Sequence, residues 1–107
     1  MINKRKYLMM KMVIKLDRFK LERLAYNWNK VYKTICESFE KLGCVKEYSF
    51  DETTIIYRGS NPSKDYSNFG FMVNLLVKQI WFKESVVSWY LYHDGIKEDC
   101  IEAAKRK

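Results

Sequence analysis

The chain has 107 residues, 48% of them hydrophobic, which is the length of one compact domain with a real core and leaves little for a second. No stretch approaches the ~18 uninterrupted apolar residues of a membrane span, and three cysteines, Cys36, Cys44 and Cys100, lack the C-x-x-C spacing of a zinc site or the even number of a disulfide framework. Twenty Lys and Arg against thirteen Asp and Glu give a net charge of +7, which favours an anionic partner such as nucleic acid or an acidic protein.

The N-terminus is basic and then apolar, as in a signal peptide. Lys11 and Lys15 interrupt the apolar run, however, and no small-residue cleavage site follows, so the expectation is a soluble, cytoplasmic protein with residues 1–107 as a single domain and no membrane partner. Leu8, Met10, Met12, Ile14 and Leu16 alternate with Met9, Lys11, Val13 and Lys15, which predicts a half-buried strand from Tyr7 to Leu16. The period then becomes helical. Leu24, Ala25, Trp28, Val31, Tyr32, Ile35, Phe39 and Leu42 share one stripe, read as one long helix or as two that break at "YNWN", with Gly43 as the stop. "CVKEYSF" and "TTIIYRG" predict a hairpin turning at Asp51 and Glu52.

The polar "GSNPSKDYSN" reads as a surface loop that also carries caps for the next helix. Phe69, Met72, Val73, Leu76, Val77 and Ile80 predict that helix, ending near Trp81 or Phe82. "SVVSWYLYHDG" predicts a fourth strand stopped by Asp94-Gly95, and residues 97–105 a short terminal helix. The order βαββαβ is the ferredoxin-like arrangement: an α+β fold with a four-stranded antiparallel sheet, two packed helices and a C-terminal helix.

The P-loop, G-x-G-x-x-G, G-x-S-x-G and H-E-x-x-H signatures are absent. His93 and Asp94 are sequence neighbours on a strand, which points them to opposite faces, so His93 reads as a solvent-facing strand-end residue. Asp17 ends the first strand. One carboxylate there could hold Mg²⁺ with waters and phosphate oxygens, with the same residue of a symmetric second copy, but Asp is also a favoured helix N-cap and the helical period begins here. Lys11 and Lys15 lie opposite the apolar row of strand one, and with Arg58 and Tyr48, Tyr57, Tyr90 or Tyr92 they would offer phosphate contacts and stacking surfaces to single-stranded RNA.

With this element order, the segments "NWNKVYKTICESFEKLG" and "LLVKQIWFKESVVSWYLY" make the chain resemble the virulence-associated protein D family over roughly Met12 to Glu102. The matching parts are the helix-Gly segment and Trp81-Phe82. That family is related in fold to the CRISPR adaptation nuclease, and some members cleave messenger RNA as toxins of toxin-antitoxin systems. The resemblance implies a homodimer and an endoribonuclease; in a metal-assisted mechanism Asp17, the next residue on the strand face of the family's acidic position, would hold Mg²⁺ if the strand end shifts, with Ser49, Thr53 or Thr54 assisting from the hairpin and Lys15 and Arg58 holding phosphate. The family's acidic position falls on Lys15 in the simplest register. That departure supports the alternative: an inactive binding protein for RNA or a nucleoprotein, a counter-defence inhibitor of the anti-CRISPR type, or an antitoxin or immunity partner.

Overall fold

The computed structural model describes residues 9–105. Strand β1 (Lys11–Leu16) alternates as its sequence requires, with Met12, Ile14 and Leu16 buried and Lys11, Val13 and Lys15 half-buried on the other face. It starts later than expected. Met9 and Met10 precede the strand, and Tyr7, Leu8 and the basic "NKRK" lie outside the described residues, as do the last two residues of the closing "KRK".

The long apolar stripe that follows is cut into two helices. Helix α1 (Arg18–Arg23) ends at Leu24, Ala25 takes a left-handed φ of 68°, and the Asn27 side chain accepts the Lys30 N–H at 3.0 Å to open α2 (Trp28–Lys41). The break thus falls at "YNWN", where Asn27 supplies the cap. Helix α2 buries Trp28, Val31, Ile35, Cys36 and Phe39, and Gly43 follows it with a φ of 83°.

Strand β2 (Val45–Glu47) is shorter than "CVKEYSF", and β3 (Thr54–Arg58) pairs with it in antiparallel register, Lys46 opposite Tyr57. The connection is therefore a loop over residues 48–53, because side chains within it take up its backbone groups in place of a ladder. Helix α3 (Pro62–Val77) begins inside the polar stretch expected to be loop. Pro62 occupies the first helical turn, where its missing N–H costs nothing, and Asn61 caps it by accepting the Ser63 N–H at 3.2 Å. Asp65, only 4% exposed, accepts the Asn61 N–H at 3.1 Å, and a Cβ on residue 59 would collide with that carboxylate, which is why Gly59 is there. Helix α3 stops at Val77, short of Trp81, and a separate α4 (Ile80–Ser85) buries Phe82.

The four-stranded expectation is corrected at the C-terminal end. After β4 (Val86–His93), Asp94 and Gly95 take φ of 50° and 77°, the paired left-handed residues of a two-residue hairpin, so the chain returns as β5 (Ile96–Asp99) before α5 (Cys100–Lys105). Asp-Gly turns the strand here instead of ending it, and the terminal helix is shorter than residues 97–105.

The result is an α+β fold with an open, antiparallel five-stranded sheet in the order β2-β3-β1-β4-β5. Met12, Ile14, Leu16, Ile55, Tyr57, Trp89 and Leu91 form the buried floor against the helices. Tyr57 therefore belongs to the core and not to a binding face. Its ring stacks on Phe39 at 4.5 Å, and its hydroxyl donates to Glu40 Oε2 at 2.6 Å. The Trp89 indole donates to Met12 Sδ at 3.3 Å, so the buried N–H has a partner. Cys36, Cys44 and Cys100 are buried free thiols; burial pushes Cys44 up to about 11 and Cys100 up to about 12. No helix among the described residues is long and apolar enough to cross a membrane.

Candidate nucleic-acid interface

The helices pack on one side of the sheet, which leaves the other side, among the described residues, without a covering layer. Strand alternation decides what stands there. Register places Lys11 between Arg58 of β3 and Tyr92 of β4, and Val13 between Ile56 and Tyr90, while Lys15 lies between Thr54 and Ser88. Tyr90 and Tyr92 are thus two residues apart on one strand and point to the same face. Strand β5 adds Lys97, whose ammonium lies 4.2 Å from the Tyr90 ring centroid and 5.9 Å from that of Tyr92. Lys97 was invisible as a site residue in the sequence because its segment reads as helix, although the Asp94-Gly95 pair is a hairpin signal.

The three cations chosen from sequence do share this face, but each has a carboxylate partner. Glu47 of β2 takes Lys11 at 3.1 Å and Arg58 at 3.2 Å, joining three strands through one carboxylate. Lys15 pairs with Asp51. These side chains are about a third or more exposed, so each pair is worth little to stability.

Asp51 organises the hairpin. Its carboxylate accepts from Lys15 Nζ, from the Thr53 N–H at 2.9 Å and hydroxyl at 2.7 Å, and from the Thr54 hydroxyl at 3.1 Å. The Lys15 ammonium, followed by these donors, holds its carboxyl well below the usual range. The predicted catalytic Ser49 is part of the same turn: its Oγ donates to the Asp51 carbonyl at 3.1 Å and accepts the Asp51 N–H at 3.2 Å. An acidic residue two before Thr-Thr is a recognisable Asx-turn signal, read in the sequence only as a turn.

Asp17 is the N-cap of α1. Its Oδ1 accepts the Lys20 N–H at 3.0 Å, and its own N–H donates to the Ser85 carbonyl at 2.8 Å, tying the end of β1 to α4. The hairpin is close by, since the Leu16 N–H donates to the Thr53 carbonyl at 3.1 Å and Arg18 Nη1 is 3.9 Å from Glu52. The carboxylates at this end of β1 are already engaged. Asp17 gives an oxygen to its cap, Asp51 is engaged by four donors, and no three His, Cys, Asp or Glu side chains gather among the described residues.

His93 is half-buried at the strand end, less open to solvent than expected. Its side chain is 19% exposed, with Nε2 3.1 Å from Glu98 across the β4–β5 hairpin and Nδ1 3.6 Å from Asp94. The strand rule separating His93 from Asp94 fails because Asp94 is in the turn.

Comparison of the chain with protein-family models, curated proteins and solved structures finds no match.

Proposed function

We propose that this protein is a single-stranded RNA-binding module built on a ferredoxin-like core, with β5 as an added edge strand, and that it binds without cutting. The order β2-β3-β1-β4, antiparallel throughout, supports the core assignment. The observation that carries the function is the sheet face without a helix layer, on which Tyr90, with the Lys97 ammonium over its ring, and Tyr92 share one side with Lys11 and Arg58, so that a base would stack by displacing the Lys97 chain toward a phosphate. Rings on a flat face offer stacking platforms to unpaired bases, and neighbouring cations reach the phosphates. The net charge of +7 adds long-range attraction.

The non-catalytic half of this reading rests on the two carboxylates near the end of β1. Asp17 is committed to a helix cap and Asp51 to Lys15 and two threonines. The resemblance to the virulence-associated protein D family points the same way, since its acidic position falls on Lys15.

The second reading is the metal-assisted endoribonuclease toxin acting as a homodimer, and the nearness of Asp17 to the hairpin that carries Ser49 favours it. In that reading Mg²⁺ would rest on Asp17 and supply charge neutralisation at a phosphate, with Lys15 released from Asp51 to hold the substrate. Fluorescence anisotropy of a labelled single-stranded RNA, followed by gel analysis of the same samples with and without Mg²⁺, separates the two. The expected result is salt-sensitive binding, weakened by Tyr90→Ala with Tyr92→Ala, and intact RNA throughout. Mg²⁺-dependent cleavage abolished by Asp17→Ala would establish the nuclease instead.

A further inference from the structure

Beside the open face, the β2–β3 hairpin and the start of α2 border an open groove of about 580 Å³ lined by Trp28, Asn29, Tyr32, Lys46 and Tyr48 and by the carboxylates Glu47, Asp51 and Glu52. Its charges are largely spoken for. Glu47 is held by Lys11 and Arg58, Asp51 by Lys15, and Glu52 lies 3.9 Å from Arg18. Lys46 is different: among the described residues it has no carboxylate partner, and its ammonium donates to the Tyr32 hydroxyl and lies 3.8 Å from Cys36 Sγ. The phenol oxygen holds Lys46 in its charged form, raised from the ordinary lysine range. The groove thus holds three carboxylates, each paired with a cation, and one cation, Lys46, whose partner is a phenol.

One lining ring, Tyr48, carries a second, Phe50, packed against it. Tyr48 is 79% exposed and Phe50 94%, packed edge to face at 5.3 Å. Leaving two large rings in water is unfavourable, and the hairpin is fixed in the shape that does so by Asp51 and Ser49. A volume within the ~300–1,000 Å³ of small-ligand sites suits one nucleotide.

We infer that this groove receives one nucleotide of the bound single strand, with a phosphate on Lys46 and the base against Tyr48 and Phe50. The inference rests on the RNA-binding reading and extends it from the open face around the β2 edge. Base stacking on rings tolerates every base, so the site selects single-strandedness and not sequence.

The test uses the full chain, a fluorescein-labelled eight-nucleotide oligouridylate, and uridine monophosphate alone, with amide chemical shifts as a second readout. Tyr48→Ala with Phe50→Ala changes only exposed side chains and is expected to keep the native amide spectrum elsewhere. It is expected to weaken oligouridylate binding about tenfold or more. Lys46→Gln is expected to lower the salt slope by about 0.7, one phosphate contact on a single strand. Uridine monophosphate should shift the amides of Tyr32, Lys46 and Tyr48. Native affinity in the groove variants, with binding lost in the Tyr90→Ala, Tyr92→Ala control, would overturn the groove and leave the RNA reading standing. No oligouridylate binding by the native chain would overturn both. Equal shifts from an acidic peptide of alternating Asp and Glu would make the groove a protein-docking site and overturn the assignment.

Discussion

The two faces of strand β1 differ by one residue of register and by everything that follows from it. Met12, Ile14 and Leu16 meet the helices at 1% exposure or less, whereas Lys11, Val13 and Lys15 look out from the same six residues toward carboxylates and tyrosines. The helix face is held by area removed from water, at about 25 cal/mol per Å². The open face is held by little beyond the ladder itself, since its ion pairs are exposed. One face is therefore expected to control stability, and the other to be free to change with ligand.

The largest effect is expected where the helix face is most filled. Trp89 is 2% exposed, its ring lies edge to face with Phe82 at 4.9 Å, and its indole N–H reaches Met12. Trp89→Ala should cost about 3–5 kcal/mol in guanidinium unfolding. Tyr90→Ala, one residue along on the open face, should cost far less. Similar losses at both positions would show that the open face is covered by something and would break the comparison.

Asp17 sits where the two faces end, and its substitution measures a cap. Asp17→Ala should remove about 1 kcal/mol, the usual worth of an N-cap side chain, and Asp17→Asn should restore most of it because an amide oxygen still accepts the Lys20 N–H. Stability untouched in both variants, with RNA cleavage lost, would give Asp17 to chemistry instead.

On the open face the informative change is Glu47→Gln. It releases Lys11 and Arg58 from their shared carboxylate. Stability should move by less than about 1 kcal/mol, while RNA binding should tighten and its salt slope steepen as two cations become available to phosphate. Weaker binding in this variant would mean that Glu47 positions the two cations, and the open face would be a built site with three partners.

How much of this was legible depends on which interaction fixed each feature. Strand β1, the burial of Val31, Ile35 and Phe39, and the left-handed Gly43 follow from periodicity and backbone preference, which are local. The break at "YNWN" and the caps within "GSNPSKDYSN" are both readable from sequence, but periodicity alone leaves one helix or two across Asn27 and does not show that the helix after Asn61 starts as early as Pro62. The fifth strand does not show in the sequence although Asp94-Gly95 is a favoured hairpin pair, because "IKED" has little strand propensity and gains its structure by pairing with β4. The sharing of one face by Lys11 and Arg58 was legible once the strands were placed. Their shared partner Glu47 was not, since ion pairing across three strands depends on register that only the folded sheet defines.

The smallest expected effect belongs to Lys15 and Asp51, and its sign is fixed by linkage. Lys15, then Thr53, hold the Asp51 carboxyl below its ordinary value of 3.8 in the folded chain. The unfolded chain binds that proton more readily, so the group contributes stability above the ordinary carboxylate value and loses it as pH falls from there through the lower folded value. Both side chains are 41% exposed, which lets salt and water screen the pair and keeps the contribution small. The stability difference between the native chain and Lys15→Gln should therefore be flat from neutral pH down to the ordinary carboxylate range and shrink in more acid solution, with the Asp51 carboxyl titrating higher in the variant by NMR. An Asp51 titration unmoved by Lys15→Gln would place its anchor in the threonines alone. Lys15 would then be a free cation on the open face, and the hairpin would hold its shape without the charge that now joins it to β1.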